Sequence, residues 1–321
     1  MTQAAQVAQY GSSSVSLGFK NRLMNGSFNI WQRGTTFSVS GANYYWADRW
    51  TNASNGYTAT RSTDVPTGMA QYSADITTTS TNLGSIVQRI EAANCADLPG
   101  QSVTVSFWVK AVSGGGSNGV NVRLDYANTA DTFSSTTAIL QVQLATTLSS
   151  SWTKYSYTFT NLPSGAANGL MLYIFADNTS ATQCRYTMIQ LEKGSTATSF
   201  DYRPYGTELQ LCQRYYYRIS YQSGYQTALG VSSNWLTTDA RAKITTPVTM
   251  RTAPTPAASS GANYFRFEIA GSVIYATTLT FTYSQPDGTV AYYTTSGLTA
   301  GQSGVLYLYS AGSYVELSAE L

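Results

Sequence analysis

The sequence predicts an all-β protein in which a jelly-roll β-sandwich is followed by a short helical neck and a second β domain. Three observations predict it. β-Branched and aromatic residues alternate with polar ones over short runs, which is the period of a strand with one buried face. Gly, Pro, Asn and Ser interrupt these runs before any long helical period is established. Charged residues make up only 11% of the chain, against about 25% in an ordinary soluble domain, so the polar surface is built from hydroxyl and amide side chains. At 321 residues the chain exceeds the usual size of one domain, and each half is long enough to bury its own core.

Residues 1–20, rich in Ala, Gln, Ser and Gly, read as an extended arm. The sandwich is expected over 21–205. In SVTVSFWVKA (102–111), Val103, Val105, Phe107 and Val109 fall on one face and Thr104, Ser106, Trp108 and Lys110 on the other. KYSYTFTNLP (154–163), LMLYIFADN (170–178) and YTMIQLE (186–192) repeat the pattern. SGGGSNG (113–119) and PSGAANG (163–169) read as loops, because consecutive glycines are costly to order inside an element.

Residues 206–218 are the neck. DYRPYG (201–206) is an exit turn, since Pro204 cannot donate to a strand ladder. TELQLCQRY suits a short helix. Leu209, Cys212 and Tyr216, at spacings of three and four, share a helical face that packs either about a three-fold axis between chains or as a plug within one chain. The second β domain, 219–321, continues the alternation of RYYYRISY. Further strands are expected in ARAKITTPVTM (240–250), NYFRFEIA (263–270), SVIYATTLTFTY (272–283), TVAYYTT (289–295), GVLYLYS (304–310) and YVELSAEL (314–321), with the chain ending inside a strand. QPDG (285–288) is a tight turn, and SYQSGYQTALGVSSNW (220–235) sets Tyr221, Tyr225 and Trp235 around glycines, either as stacking sites on loops or in strand packing and trimer contacts.

Composition excludes several functions. A net charge of +2, with Lys and Arg scattered, offers no field for gripping phosphate backbones, so no nucleic acid partner is expected. No apolar run is long enough for a membrane helix, and the amino terminus lacks the pattern of a signal peptide. The chain has no histidine, which removes the Ser-His-Asp constellation and the usual zinc sites. Cys95, Cys184 and Cys212 are odd in number and far apart, and read as reduced, buried thiols. Glycoside cleavage would require a carboxylate pair about 5–9.5 Å apart. Asp125, Asp131, Asp177, Glu192, Asp201 and Glu208 are available, but no pattern pairs them. The expectation is a protein that is not an enzyme.

KNRLMNGSFNIWQRGTTF (20–37), ADRW (47–50), IVQRIE (86–91), LPGQSVTVSFWVKA (98–111), IQLEKGSTATSFDYRPYGTELQLCQRYYYR (189–218) and PVTMRTAPT (247–255) together resemble tail-fibre and receptor-binding proteins of tailed bacteriophages. The strand order of the first domain is similar to carbohydrate-binding jelly rolls. The resemblance implies a homotrimeric virion protein, assembled in the host cytoplasm, that binds a host-surface polysaccharide or lipopolysaccharide. The amino-terminal arm would then meet other virion proteins. A capsid-decorating or head-fibre protein at the capsid surface is the first alternative, and a surface-glycan depolymerase the second.

Sugar recognition uses aromatic rings against the apolar faces of pyranoses, with polar side chains for the hydroxyls. With 25 tyrosines, each one alone is weak evidence. Tyr44 and Tyr45, beside a Gly turn, and Tyr225 and Trp235, in the second domain, are the candidates. Trp46 and Trp50 read as packing residues. No cofactor is expected, although jelly rolls of this kind often hold a structural calcium. Asn25 and Glu192 occupy comparable positions in the first and last strands.

Overall fold

A computed structural model describes residues 19–41, 43–53, 56–78, 84–113, 119–176 and 182–321. Most of the amino-terminal arm (1–18), the glycine run at 114–118 and Asp177 lie outside the described residues. The chain divides into two compact units. Unit 1 comprises Met1–Asn29, Gly34–Trp46 and Trp50–Arg203, and unit 2 comprises Ile30–Arg33, Ala47–Arg49 and Pro204–Leu321.

Unit 1 is a β-sandwich of two antiparallel sheets. Its strands are β1 (Thr36–Val39), β2 (Tyr57–Ser62), β3 (Ser73–Thr78), β4 (Ile86–Ile90), β5 (Val103–Ser113), β6 (Val120–Thr129), β7 (Thr132–Ala145), β8 (Thr153–Phe159), β9 (Leu170–Ala176) and β10 (Gln183–Lys193). One sheet has the order β1-β2-β3-β10-β5-β8 and the other β4-β9-β6-β7. The alternation in β5 is realised as read, with Val103, Val105, Phe107 and Val109 fully buried while Trp108 and Lys110 are half-buried on the other face. Each such side chain contributes about 1.5–3 kcal/mol by leaving water. PSGAANG is more ordered than a loop, since Ser164–Asn168 forms a 3-10 helix.

The segment preceding β1 is tied to β10 at a bulge. Thr187 pairs with Trp108 and Gln190 with Ser106, so Met188 and Ile189 share the space of one partner. Ile189 donates to the carbonyl of Gly26 at 2.9 Å, and a Cβ on Gly26 would stand 2.1 Å from the Ile189 oxygen. Only glycine fits there. Asn21 brackets the same bulge, donating to Ile189 O at 3.0 Å and accepting from Leu191 N at 3.0 Å. Trp46 and Trp50 are fully buried and pack on Phe28, with ring centroids 5.8 and 5.2 Å away.

Unit 2 begins with helix α1 (Tyr205–Gln213), followed by β11 (Tyr216–Ser220), β12 (Thr227–Leu236), β13 (Asp239–Thr245), β14 (Thr255–Ala258), β15 (Phe265–Ile269), β16 (Ser272–Ala276), β17 (Thr280–Gln285), β18 (Gly288–Thr294), β19 (Ser303–Leu308) and β20 (Tyr314–Ser318). A three-stranded sheet, β11-β20-β14, accompanies a seven-stranded one, β16-β15-β19-β12-β13-β18-β17. Phe265, Phe267, Ile244, Leu306, Leu308 and Val315 lie in their shared core, and Ile219 packs against it. QPDG closes the β17–β18 hairpin, where Gln285 pairs with Gly288.

Several expectations are corrected. SVIYATTLTFTY is two strands, β16 and β17, rather than one, and YVELSAEL leaves its strand at Ser318. Of the two readings left open for 220–235, the strand one holds over 227–236, which form β12, so Trp235 sits on a sheet. The neck trio does not share a helical face. The helix ends at Gln213, and Tyr216 opens β11, where its hydroxyl donates to Glu316 Oε2 at 2.6 Å. Cys212 and Tyr216 are already buried within the single chain, which leaves Leu209, itself half-buried, as the one member with exposed surface.

The tyrosine run is instead gripped by arginines of unit 2. Arg33 stacks on Tyr216 at 3.4 Å and Arg49 on Tyr215 at 3.5 Å. Both guanidinium groups pair with Glu320. Burial pushes the Asp48 carboxyl upward against the opposing charge of Arg33, and Asp48 accepts from Gln32 N at 2.8 Å. Tyr217 turns the other way, onto Met250, Leu317 and Ala319.

Candidate functional site

The four-stranded sheet of unit 1 has two unlike faces. Its register places Ile86, Ile174 and Val122 in one row, with Gln88, Leu172 and Leu124 in the next, and the apolar members are at 0% exposure. That face is core. The alternate residues fall in rows Val87–Tyr173–Arg123 and Arg89–Met171–Asp125, extended by Phe175 opposite Asn121. Strand geometry turns these to the opposite face, where Val87, Arg89, Asp125, Met171 and Phe175 are buried and Arg123 and Tyr173 are partly exposed. Gln141 of β7 lies opposite Arg123 and is exposed.

The centre of this face is a stacked ion pair. Arg123 reaches Asp125, two residues along β6, by Nε to Oδ1 and Nη2 to Oδ2, each at 2.7 Å. Thr136 of β7 adds a bond to Oδ2 at 3.1 Å. The guanidinium stands 5.2 Å from the centroid of Tyr173 on β9. Asp125 holds the Arg123 pKa above its ordinary value, chiefly through these hydrogen bonds. Burial, with the nearby Asp125 charge, pushes Tyr173 upward. Arg123 is therefore charged and the phenol neutral throughout the ordinary pH range. A half-buried ring and a partly exposed guanidinium, fixed from beneath by a buried carboxylate that three bonds hold, form a rigid, mixed apolar and polar surface. Such a surface suits a ligand with both hydroxyls and C–H faces.

Beside this centre, Arg89 of β4 lies 5.6 Å over Phe133 and bonds to Asn43 Oδ1. Asn43 precedes Tyr44, one of the sequence candidates. Tyr44 is 43% exposed, 6.0 Å from Phe37, and its backbone donates to Asn52 Oδ1 at 2.7 Å. The Asn43–Arg89 bond thus links the Tyr44 loop to the sheet that carries Arg123. Tyr45 is half-buried. Tyr225, 78% exposed, precedes β12, and Trp235 lies near the far end of that strand. At about 3.3 Å per residue, roughly 30 Å separate them, so they do not form one platform.

The remaining carboxylates are engaged structurally. Glu192 accepts from Thr198 N at 2.8 Å, Thr198 Oγ at 2.7 Å and Gln190 Nε2 at 2.8 Å. Asp201 accepts from the backbone of Lys20 and Asn21 at 2.8 and 3.2 Å. Asp131 accepts from Ala92 N at 2.7 Å, and Glu208 is buried in α1. Asn25 is fully buried, and its carbonyl accepts from Trp50 Nε1 at 2.9 Å. Among the described residues no cluster of three or more acidic or cysteine side chains is placed to hold a metal.

Sequence reasoning missed Arg123, Asp125 as its partner, and Tyr173. The signal was the alternation of VNVRLDYA, which sets a base and an acid two residues apart on one face. Its aromatic partner comes from a strand about fifty positions later, which local pattern does not reveal.

Residues 44–181 match the model of a carbohydrate binding domain family, CBM_4_9. This span includes the whole four-stranded sheet. No curated protein matches the chain. Among solved structures, a putative sugar binding protein from Bacteroides thetaiotaomicron is similar at 14% identity and a TM-score of 0.39, covering 55% of this chain and 100% of that one. A xylan-binding domain from Paenibacillus barcinonensis is similar at 15% identity and a TM-score of 0.37, covering 56% and 98%. The enzymatically active domain of bacteriophage CBA120 tailspike protein 4 is similar at 15% identity and a TM-score of 0.38. The likeness covers 54% of this chain but only 21% of that tailspike chain.

Proposed function

We propose that the protein binds a carbohydrate, without cleaving it, on the outer face of the four-stranded sheet of unit 1. Tyr173 supplies the stacking ring, Arg123, held in place by the buried Asp125, bonds hydroxyls, and Gln141 and the Tyr44 loop form the rim. The observation that carries this reading is a coincidence of position. The stretch that matches a carbohydrate binding domain is the one whose sheet turns an aromatic ring and a guanidinium anchored by a buried carboxylate outward. The resemblance of residues 189–218 to phage fibres supports a wider role as a virion fibre protein, borne on the tail, that adsorbs to a host-surface glycan.

Purified protein mixed with susceptible and resistant host cells tests both levels. Selective binding that disappears after periodate oxidation of surface glycans, and that falls at least about tenfold in Tyr173→Ala, is the expected result. Binding that ignores periodate would overturn the glycan reading. Release of new reducing ends from the glycan would overturn the non-catalytic one. Labelling confined to the capsid surface would replace the tail fibre by a decorating protein.

A further inference from the structure

We infer that the outer face of the seven-stranded sheet in unit 2 holds a separate binding site for a neutral saccharide, centred on Trp235, Tyr283 and the Asp239–Arg241 pair. The register places Arg241 between Ser233 of β12 and Tyr292 of β18. Its neighbours Ala240 and Ala242 point into the core, so Arg241 faces outward. Its Nε and Nη2 meet Asp239 Oδ2 at 2.8 and 2.6 Å, and its guanidinium lies 5.3 Å from the Trp235 ring. Tyr283 and Tyr292 lie within electrostatic reach of Arg241.

The arrangement repeats the chemistry of unit 1. In both, an arginine and an acid two residues apart on a strand are joined by two bonds, with an aromatic ring of another strand at just over 5 Å. In unit 2 the rings are far more open, with Trp235 at 65% and Tyr283 at 72% exposure. Tyr283 is held out by a bulge between Thr282 and Gln285 and has a φ of 50°. That backbone region is unfavourable for a bulky residue. Strain that displays a ring to water does nothing for the core, but it prepares a stacking surface.

Charge selects the ligand class. The cations of this face are each paired, Arg241 with Asp239, Lys243 with Asp287 and Arg266 with Glu268. The face is therefore close to neutral, unsuited to a polyanion, and the ion pairs interrupt the continuous apolar area that a protein partner needs. Open rings flanked by fixed donors and acceptors match the C–H faces and hydroxyls of an uncharged sugar. The inference rests on this face alone and does not require the site in unit 1.

The test titrates the full chain calorimetrically with neutral gluco-, manno-, galacto-, xylo- and arabino-oligosaccharides, with oligogalacturonate as the acidic control, at low and high salt. Trp235→Ala and Tyr283→Ala each remove an exposed ring and leave the core intact. Each is expected to weaken binding of a neutral member by about tenfold or more, and the Tyr173→Ala chain is expected to retain that binding at both salt concentrations. Loss of all neutral binding in Tyr173→Ala, or unchanged affinity in both unit 2 variants, would overturn the inference, as would salt-sensitive preference for oligogalacturonate. So would a change in oligomeric mass on substitution with sugar affinity intact. If Trp235→Ala abolishes binding of every sugar tested while Tyr173→Ala leaves every affinity unchanged, the unit 1 reading fails and this one stands.

Discussion

Arg49 and Arg123 are each stacked on a tyrosine and each paired with a carboxylate, yet their surroundings differ sharply. The Arg49 side chain is 2% exposed and its partner Glu320 6%, whereas Arg123 is 37% exposed above a fully buried Asp125. Inside a unit such a pair is a structural commitment. Removing one partner leaves the other charged and dehydrated, while the intact pair has no surface to offer a ligand. At an open face the carboxylate anchors the guanidinium, and the arginine keeps donors turned to solvent. Burial, more than residue identity, separates the two uses.

The largest expected effect breaks the buried member. Arg49→Ala is expected to cost about 3–5 kcal/mol of folding stability, read as a shift of the urea midpoint in unit 2. Arg49→Lys keeps the charge but loses the planar stack on Tyr215, and should fall between. A loss below about 1 kcal/mol in Arg49→Ala would mean that burial does not distinguish the two pairs.

The open member is sharpened by Tyr173→Ala. Glycan affinity should fall at least about tenfold, while stability changes by no more than about 1–2 kcal/mol, because the ring is only half-buried. Paired urea and binding measurements on Arg49→Ala and Tyr173→Ala should therefore move in opposite proportion. If Tyr173→Ala unfolds the unit and leaves the residual affinity of the folded fraction unchanged, Tyr173 is a packing residue.

The two members were not equally legible. The burial of β5 followed from alternation, because a strand with one core face must place Val103, Val105, Phe107 and Val109 together. The stacks did not, since Arg33 and Arg49 lie far in sequence from the tyrosines they cover. Tyr216 continued a plausible helical spacing until the chain turned into β11, a tertiary outcome that outweighs local pattern over so short a helix. Trp235 stayed open between loop and strand for a different reason. Gly224 and Gly230 look like loop punctuation, but Gly230 lies inside β12, where a Cβ would meet the Lys243 carbonyl at 2.3 Å. There glycine marks a close approach of two backbones and not a loop.

The smallest expected effect comes from an intermediate case on the other sheet of unit 1. Asp64 is 35% exposed and bonds to Lys110 Nζ at 2.6 Å, to Trp152 Nε1 at 3.1 Å and to Arg185. Lys110 lies 5.8 Å over Trp152, so cation, ring and acid are again together. Burial pushes the Asp64 carboxyl up, but the hydrogen bonds from Lys110, Trp152 and Arg185 outweigh it and hold the pKa below its ordinary 3.8. A lowered carboxylate pKa contributes stability that is complete above the ordinary value and is lost as pH falls through the lowered one. Asp64→Asn removes that dependence. The melting temperature of the wild type should therefore fall more steeply below about pH 4 than that of Asp64→Asn, and the two should run parallel near neutrality. Solvent screening limits the difference to less than about 1 kcal/mol. A difference as large as that predicted for Arg49 would show that exposure fails to grade these clusters. Identical acid limbs would show that the Asp64 pairs contribute nothing, and the distinction would then reduce to buried against open, with no middle term.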